Sequence, residues 1–375
     1  GVLPRSKGYL YESGLNVPMV VRVPEKWKKL SPFKGGTRTS SFVDFVDLVP
    51  TVLSLAGIKI PEGIDGTPFM GKGLKKSQIE KQDTTFGYAD RFDEKYDLVR
   101  SVRKGKYKYI RNYQPFNVDG LYNYYRYKML AYKEWYKLYQ EEKLNKIQSH
   151  FFNARSPEAL YDIEKDPHEI NNLAQNDQYK ETLINLRETL NNHIVSQADL
   201  SFFPEPYFLE NGLENAVSFG QENKNLIEKL ITTADLSLQP YNEVSSKIKD
   251  ALNNTNPWIR YWGLITCSSF RLEAKEHLNK IKSIFENDSE NLVKIRAAEY
   301  LLLNDLKIDA SKINDLLKNA NSEAEANLML NTLALIKTKN PDYKLELNKS
   351  VYPDKWFEKE NGLVNRRINY LTNNE

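Results

Sequence analysis

Lys7 is the residue whose type and setting most directly offer chemistry. It stands two positions after Arg5, just ahead of Gly8-Tyr-Leu-Tyr11-Glu12-Ser-Gly14 and then the apolar run Val17-Pro18-Met-Val-Val-Arg22-Val-Pro24. A lysine ammonium is a compact point charge with rotatable donors, suited to an anionic tetrahedral group, and its hydrogen bonds to such a group are charge-assisted. A reaction that pushes negative charge onto a leaving oxygen needs a cation already in place. The plain alternative is a solvated surface lysine, because most lysines are exposed. Arg5 is the weaker companion cation.

Cys267 is the second residue to test for chemistry. Cys267-Ser-Ser269-Phe-Arg271 carries a thiol and a cation at a suggestive spacing. Its neighbourhood, Trp258-Ile-Arg-Tyr-Trp-Gly-Leu-Ile-Thr, reads as the apolar face of a helix, and free cysteines are commonly buried. We take Cys267 as structural. It is the only cysteine, so no disulfide can form within the chain, and the redox compartment is not legible from it. His150 and His193 have no metal-ligand spacing to each other, and His168 lies in an Asp-Pro-His-Glu turn.

The elements that position Lys7 follow along the chain. Pro18–Val23 is a strand candidate of the kind buried in an α/β sheet. Ser40–Gly57 predicts a helix, with Ser40 or Ser41 as cap, Phe42, Phe45, Leu48, Val49 and Val52 at helical spacing, and Gly57 as stop. Asp44 and Asp47 sit at its start, where acceptors serve capping and the helix dipole more simply than a metal. Asp65-Gly66 marks a turn. From Thr84 the pattern alternates, with Lys104-Gly105 as a hairpin turn, which implies an antiparallel sheet.

Four stretches resemble the formylglycine-dependent (type I) sulfatases of the alkaline-phosphatase superfamily. Lys7–Gly14 is similar to their K-x-x-L-Y-E-x-G, followed at Val17 by V-P and apolar residues. Val46–Gly57 resembles V-D-L-x-P-T-x-L-x-L-A-G, and Leu160–Ala174 resembles L-Y-D-x-x-x-D-P-x-E-x-x-N-L-A, while Val102–Asn112 is similar to strands of the family's C-terminal subdomain. The resemblance implies a fold class of α/β type: part of the alkaline-phosphatase-like sulfatase sheet, an antiparallel C-terminal subdomain, and then an all-α HEAT-like repeat domain. It implies that Lys7 faces the sulfate, with Arg5 beside it as a substrate contact. Metal ligands are expected from none of these residues. The family's Ca²⁺ carboxylates, and the C/S-x-P-x-R sequence oxidised to the formylglycine nucleophile, are expected upstream of residue 1. Ser269 replaces the proline of that motif, and Cys267 lies on the wrong side of Lys7. The expected activity is hydrolysis of a glycan O- or N-sulfate by a longer polypeptide, with this portion inactive alone and the whole periplasmic or secreted. A phosphodiesterase or phosphonate hydrolase of the same superfamily is the near alternative, and a helical-repeat interaction protein with a vestigial sulfatase part the distant one.

Between the anchors, Tyr125, Met129, Tyr132, Tyr136 and Tyr139 fall on one helical face. Packing is the simpler reading. An aromatic wall for a sugar ring is the functional one, since tyrosine has a flat apolar face and a polar tip. Arg91, Asp93, Arg100 and Arg103 pose a similar choice between substrate contacts and sheet-surface charges.

Beyond Asn242 the pattern is helix after helix. Arg260 and Arg296 recur 36 positions apart, near the roughly 40-residue period of HEAT-like repeats, and Ser322–Lys337 reads as a third unit. We expect residues 1–80 to end the catalytic α/β domain, 81–212 to form the antiparallel subdomain, 213–241 to connect, and 242–375 to form the repeats, with a protein contact possible through them. Lysine plus arginine number 53 against 50 acidic residues, a net +3, which argues against a strongly electrostatic nucleic-acid binder. No apolar run approaches membrane-spanning length.

Overall fold

The computed structural model describes residues 5–340, 347, 352–358 and 362–372, so Gly1–Pro4 of the motif ahead of Lys7 lie outside the described residues. At the centre is a four-stranded antiparallel sheet in sequential order, β1 (Thr84–Ala89), β2 (Val99–Lys104), β3 (Tyr107–Asn112) and β4 (Glu158–Asp162). Gly105 takes φ +55° in the expected hairpin turn.

The pairing register sorts the side chains. Phe86, Val102, Tyr109 and Leu160 oppose one another across the four strands, and the last three join the large core shared with the helices. Val99, Ile110, Ala159 and Tyr161 face the other way and pack with Tyr9, Leu10 and Tyr11. With both faces covered, alternation of apolar with charged residues does not mean a solvated face: Arg100, Lys108 and Arg111 are buried and must be paired. Arg100 meets Asp90 and Asp199, and Arg111 meets Asp235.

Two expectations ahead of the sheet change. Residues 17–24 form no strand, and Val20 is 93% exposed. Its backbone has no strand partner among the described residues, and an apolar run without a neighbouring strand has nothing to be buried in. The predicted helix at 40–57 is a 3-10 turn over Phe45–Asp47 continued by α1 (Leu48–Leu55). Pro50 lacks an N–H and so fits only the first turn, which sets the start near Leu48 rather than Ser41. Asp44 and Asp47 close that start: the Asp44 N–H donates to Asp47 Oδ2 at 2.9 Å, and the Thr67 N–H donates to Oδ1 at 2.7 Å. Phe45, Val49 and Val52, expected inside, are exposed instead.

The tyrosine-rich stretch divides into a single turn, Tyr124–Tyr127, and α2 (Leu130–Gln140). Tyr132, Tyr136 and Tyr139 pack against Trp135, Phe151 and Phe152, so this part of the stripe is packing. Residues 213–241, expected as a connection, hold a short helix at Ala216–Glu222 and α4 (Lys224–Asp235), which follows α3 (Lys180–Ser196). Ile227 and Leu230 of α4 are fully buried in the same core as the sheet.

The distal part stacks as α5 (Tyr241–Leu252) with α6 (Pro257–Phe270), α7 (Leu278–Asn287) with α8 (Asn291–Leu303), and α9 (Ala310–Lys318) with α10 (Glu323–Lys339). The inner helices α6, α8 and α10 are apolar nearly all round and buried, as expected for the middle of an array. Arg260 forms a two-pronged pair with Asp288, at 2.7 and 2.8 Å, and Arg296 bonds Glu299 and the Tyr261 hydroxyl. The recurring arginines tie successive helix pairs together. A last helix, α11 (Leu363–Leu371), packs on α10. No helix among the described residues is long and apolar enough to cross a membrane.

Candidate active site

Lys7 sits in a turn laid over the sheet face formed by Val99, Ile110 and Tyr161. Its side chain is exposed, and among the described residues no carboxylate pairs with it. The ammonium lies 5.3 Å from the centroid of the Tyr125 ring. Gly8 follows at φ +81°, and a Cβ there would come within 2.4 Å of Arg126 Nη2 and 3.0 Å of the Phe92 ring. Only glycine allows the chain to turn this close to that guanidinium.

Arg126 holds the turn from beneath. Its guanidinium lies between the Tyr9 ring at 4.3 Å and the Phe92 ring at 4.1 Å, and Nη2 donates to the Lys7 carbonyl at 3.0 Å. Asn123 fixes the neighbourhood: its Oδ1 accepts from the Arg126 N–H at 3.1 Å, and its Nδ2 donates to the Phe92 carbonyl at 2.8 Å. Below lies a small cavity of about 30 Å³ whose walls include Tyr9, Lys95, Asp97, Asp119, Arg126 and Arg155. Arg155 pairs with Asp97 and Asp119, and Tyr11 donates to Asp119 at 2.8 Å. Burial lowers the Lys95 ammonium to about 8 against the pull of Asp97 and Asp119, whereas Arg155 and Lys95 outweigh burial and hold the Asp119 carboxyl below its usual value.

Arg5 has different neighbours from Lys7. Its guanidinium stacks 3.6 Å from the Tyr11 ring and donates to the carbonyls of His168, at 3.3 Å, and Glu169, at 3.5 Å. Glu169 in turn accepts from the Glu12 N–H at 2.6 Å and joins Glu12 around the buried Lys108, with Arg103 completing the group on Glu12. The two most distant sequence anchors, Lys7–Gly14 and Leu160–Ala174, thus meet in one ion cluster. Arg91 pairs with Glu205, so the arginines set aside as candidate anion contacts are committed within the fold. Asp93 takes φ +50° and lies 4.0 Å from Arg366.

The far end of the chain also reaches this site. Arg367 of α11 is fully buried and donates to the Glu94 and Tyr122 carbonyls and to Asn331 Oδ1. Arg366 stacks on the Tyr124 ring. Sequence reasoning missed Gly8, Phe92, Arg126 and Arg367. Gly8, adjacent to Lys7, was the one available signal.

His193 stacks on Phe86 at 3.7 Å, and burial lowers both it and His150. Cys267 is fully buried, with its thiol pushed up by desolvation. Among the described residues no group of three or more His, Cys, Asp or Glu could hold a metal. Asp44 accepts from Thr85, and Asp47 from backbone N–H groups, so these residues do not fit a Ca²⁺ donor set.

Residues 5–150 match the family model described as N-sulphoglucosamine sulphohydrolase, C-terminal. Over 208 residues the chain is 38% identical to an ulvan-active sulfatase of Formosa agariphila, covering 55% of this chain and 33% of that protein. Residues 5–150 are therefore similar to a sulfatase C-terminal segment. A second ulvan-active sulfatase of the same organism is 26% identical over 198 residues, covering 50% of this chain and 34% of the relative. An arylsulfatase of Clostridium perfringens is 26% identical over 184 residues, covering 49% and 28%. The chain spans about a third of the length of these relatives. A putative sulfatase of Bacteroides thetaiotaomicron aligns with 40% of this chain and 24% of its own at 22% identity, with a TM-score of 0.24. The matched segment contains Lys7, Phe92, Tyr125 and Arg126, and the helices from α5 onward lie outside it.

Proposed function

We propose that this chain is the C-terminal portion of a sulfatase that hydrolyses a sulfate ester or N-sulfate of a glycan, and that Lys7 binds the sulfate. The observation that carries the reading is the exposed Lys7 ammonium, without an ion-pair partner among the described residues, on a turn that Arg126 and Gly8 hold in place. The neighbouring cations Arg91, Arg100, Arg103 and Lys108 are by contrast all paired within the fold.

Lys7 orients the sulfate by charge-assisted hydrogen bonds and offsets the charge that develops as the sulfur–oxygen bond breaks. A formylglycine hydrate would supply the nucleophile and Ca²⁺ further positive charge at the sulfate; the described residues offer no donor set for the ion. Arg5 serves this site as a brace between the Lys7 turn and residues 168–169. The protein acts in the periplasm or outside the cell, and residues 1–80, 81–212 and 242–375 are its catalytic-domain end, antiparallel subdomain and HEAT-like extension. The extension covers a flank of the subdomain, its inner helices being consumed by internal packing. Binding charge without a nucleophile gives no turnover, so this portion alone is inactive.

The test uses the full-length protein with its upstream coding sequence. Aryl sulfate, N-sulfoglucosamine, O-sulfated sugars and ulvan, on which two relatives are named as active, are assayed with phosphate esters as controls. Lys7→Ala should lower kcat/KM on the best sulfate by about 10²–10³-fold. Preference for phosphate esters, or an unchanged Lys7→Ala enzyme, would overturn the reading.

A further inference from the structure

Tyr125 is the one member of the tyrosine stripe that stands beside Lys7. Tyr132, Tyr136 and Tyr139 are packing, yet this ring remains 49% exposed. The edge of Phe92 supports it at 5.9 Å and 60°, and Phe92 is itself pressed on its face by the Arg126 guanidinium. The backbone under Tyr125 is fixed by the two Asn123 hydrogen bonds to Arg126 and Phe92. The ring is therefore held at a set place next to the Lys7 ammonium, and among the described residues Phe92 is its one aromatic neighbour.

We propose that Tyr125 is the platform for the sugar ring whose sulfate Lys7 holds. The proposal rests on the sulfatase reading and adds the substrate class, a sulfated pyranoside. A pyranose presents C–H groups on its flat side and hydroxyls at its rim, the complement of a tyrosine face with a polar tip. A sulfate is attached at that rim. With the anion on the ammonium, the ring to which it is bonded falls over the neighbouring aromatic face, whereas a free sulfate engages Lys7 alone. The single turn Tyr124–Tyr127 thus couples two tasks: Arg126 fixes the cation, and Tyr125 reads what carries the anion. Binding energy from the non-reacting part of the substrate is gained on the second residue.

The experiment compares two probes on the full-length protein: a sulfated oligosaccharide that it desulfates, and inorganic sulfate as a competitive inhibitor. Tyr125→Ala should raise KM for the oligosaccharide about tenfold, leave the inhibition constant of sulfate within about twofold, and leave Tm unchanged. Tyr125→Phe should restore KM, since the face remains. Lys7→Ala should weaken both probes. A Tyr125→Ala change in KM below twofold, or an equal loss for both probes, overturns the proposal while the sulfatase reading stands. Calorimetric binding of the sulfated oligosaccharide separates the remaining case: Tyr125-dependent binding without turnover in the parent protein overturns the sulfatase reading alone, and absence of binding in the parent overturns both.

Discussion

Arg126 Nη2 donates to the carbonyl oxygen of Lys7 at 3.0 Å, so the residue expected to bind sulfate is placed through its backbone by a cation from a segment more than a hundred positions away. The guanidinium is locked between two rings, and Gly8 makes room for it. Arg126 thus positions Lys7 through its backbone and leaves the Lys7 ammonium exposed for the binding role proposed above.

Gly8→Ala should be costly at once in sterics and backbone. The new Cβ meets Arg126 Nη2 at 2.4 Å, and φ +81° is a left-handed conformation that alanine disfavours. Chemical denaturation should show a loss of about 2 kcal/mol or more, with kcat/KM of the full-length protein falling as the turn shifts.

Lys7 and Arg5 should behave oppositely on substitution. Lys7 is exposed and unpaired among the described residues, so Lys7→Ala should leave Tm within about a degree while activity is lost. Arg5 braces residues 168–169 and covers the Tyr11 ring, so Arg5→Ala should lower Tm by several degrees. Thermal scans beside the assays distinguish the two.

Arg367 fastens the last helix to the Glu94 and Tyr122 backbone, next to the segments that carry Phe92 and Arg126. Arg367→Met leaves the Glu94 and Tyr122 carbonyls and Asn331 Oδ1 without this donor in a dry interior. The expected cost is about 3 kcal/mol in denaturant unfolding. Hydrogen exchange should rise in residues 92–96 and 122–127 as well as in α11.

Lys95 sets a pH dependence of defined sign. Its folded-state value, about 8, lies below its ordinary 10.5. Burial of the charged form therefore costs stability below about pH 8, and that cost fades as pH rises toward 10.5. Tyr9 and Tyr11 are held well above 10 by burial, so their contribution is full below pH 10 and is lost as pH climbs beyond it. Stability should rise from pH 8 to about 10 and then fall. Lys339, also lowered to about 8 by burial, adds a rise of the same sign, so the difference between the parent and Lys95→Met reports Lys95: the variant should show a flatter rise and the same fall.

The exposed apolar residues of the first sixty positions, Val20, Phe45, Val49 and Val52 among them, should make this chain bind a hydrophobic dye and self-associate when produced alone. Val49→Lys with Val52→Lys should reduce both, with little change in the unfolding midpoint of the sheet and helices.

The sequence alone determined what depends on neighbours along the chain. The Lys7–Gly14, Val46–Gly57 and Leu160–Ala174 motifs, the Lys104-Gly105 hairpin, the antiparallel strands and the distal helices all rest on spacing, turn chemistry and local propensity, and Cys267 reads as buried from its helix face. Tertiary structure decided whatever needed a partner from elsewhere. Pro18–Val23 has the composition of a strand, but a strand forms only against another. Arg100, Arg103, Lys108 and Arg111 resemble surface charges in the alternating pattern until the sheet is covered on both faces and each must be paired. The separation of Tyr125 from the rest of its stripe, the meeting of Gly8, Phe92 and Arg126 beneath Lys7, and the bonds of Arg367 to Glu94 and Tyr122 come from contacts between segments up to 273 positions apart. No local pattern encodes such contacts, because their energy arises only when the folded chain has excluded the water between them.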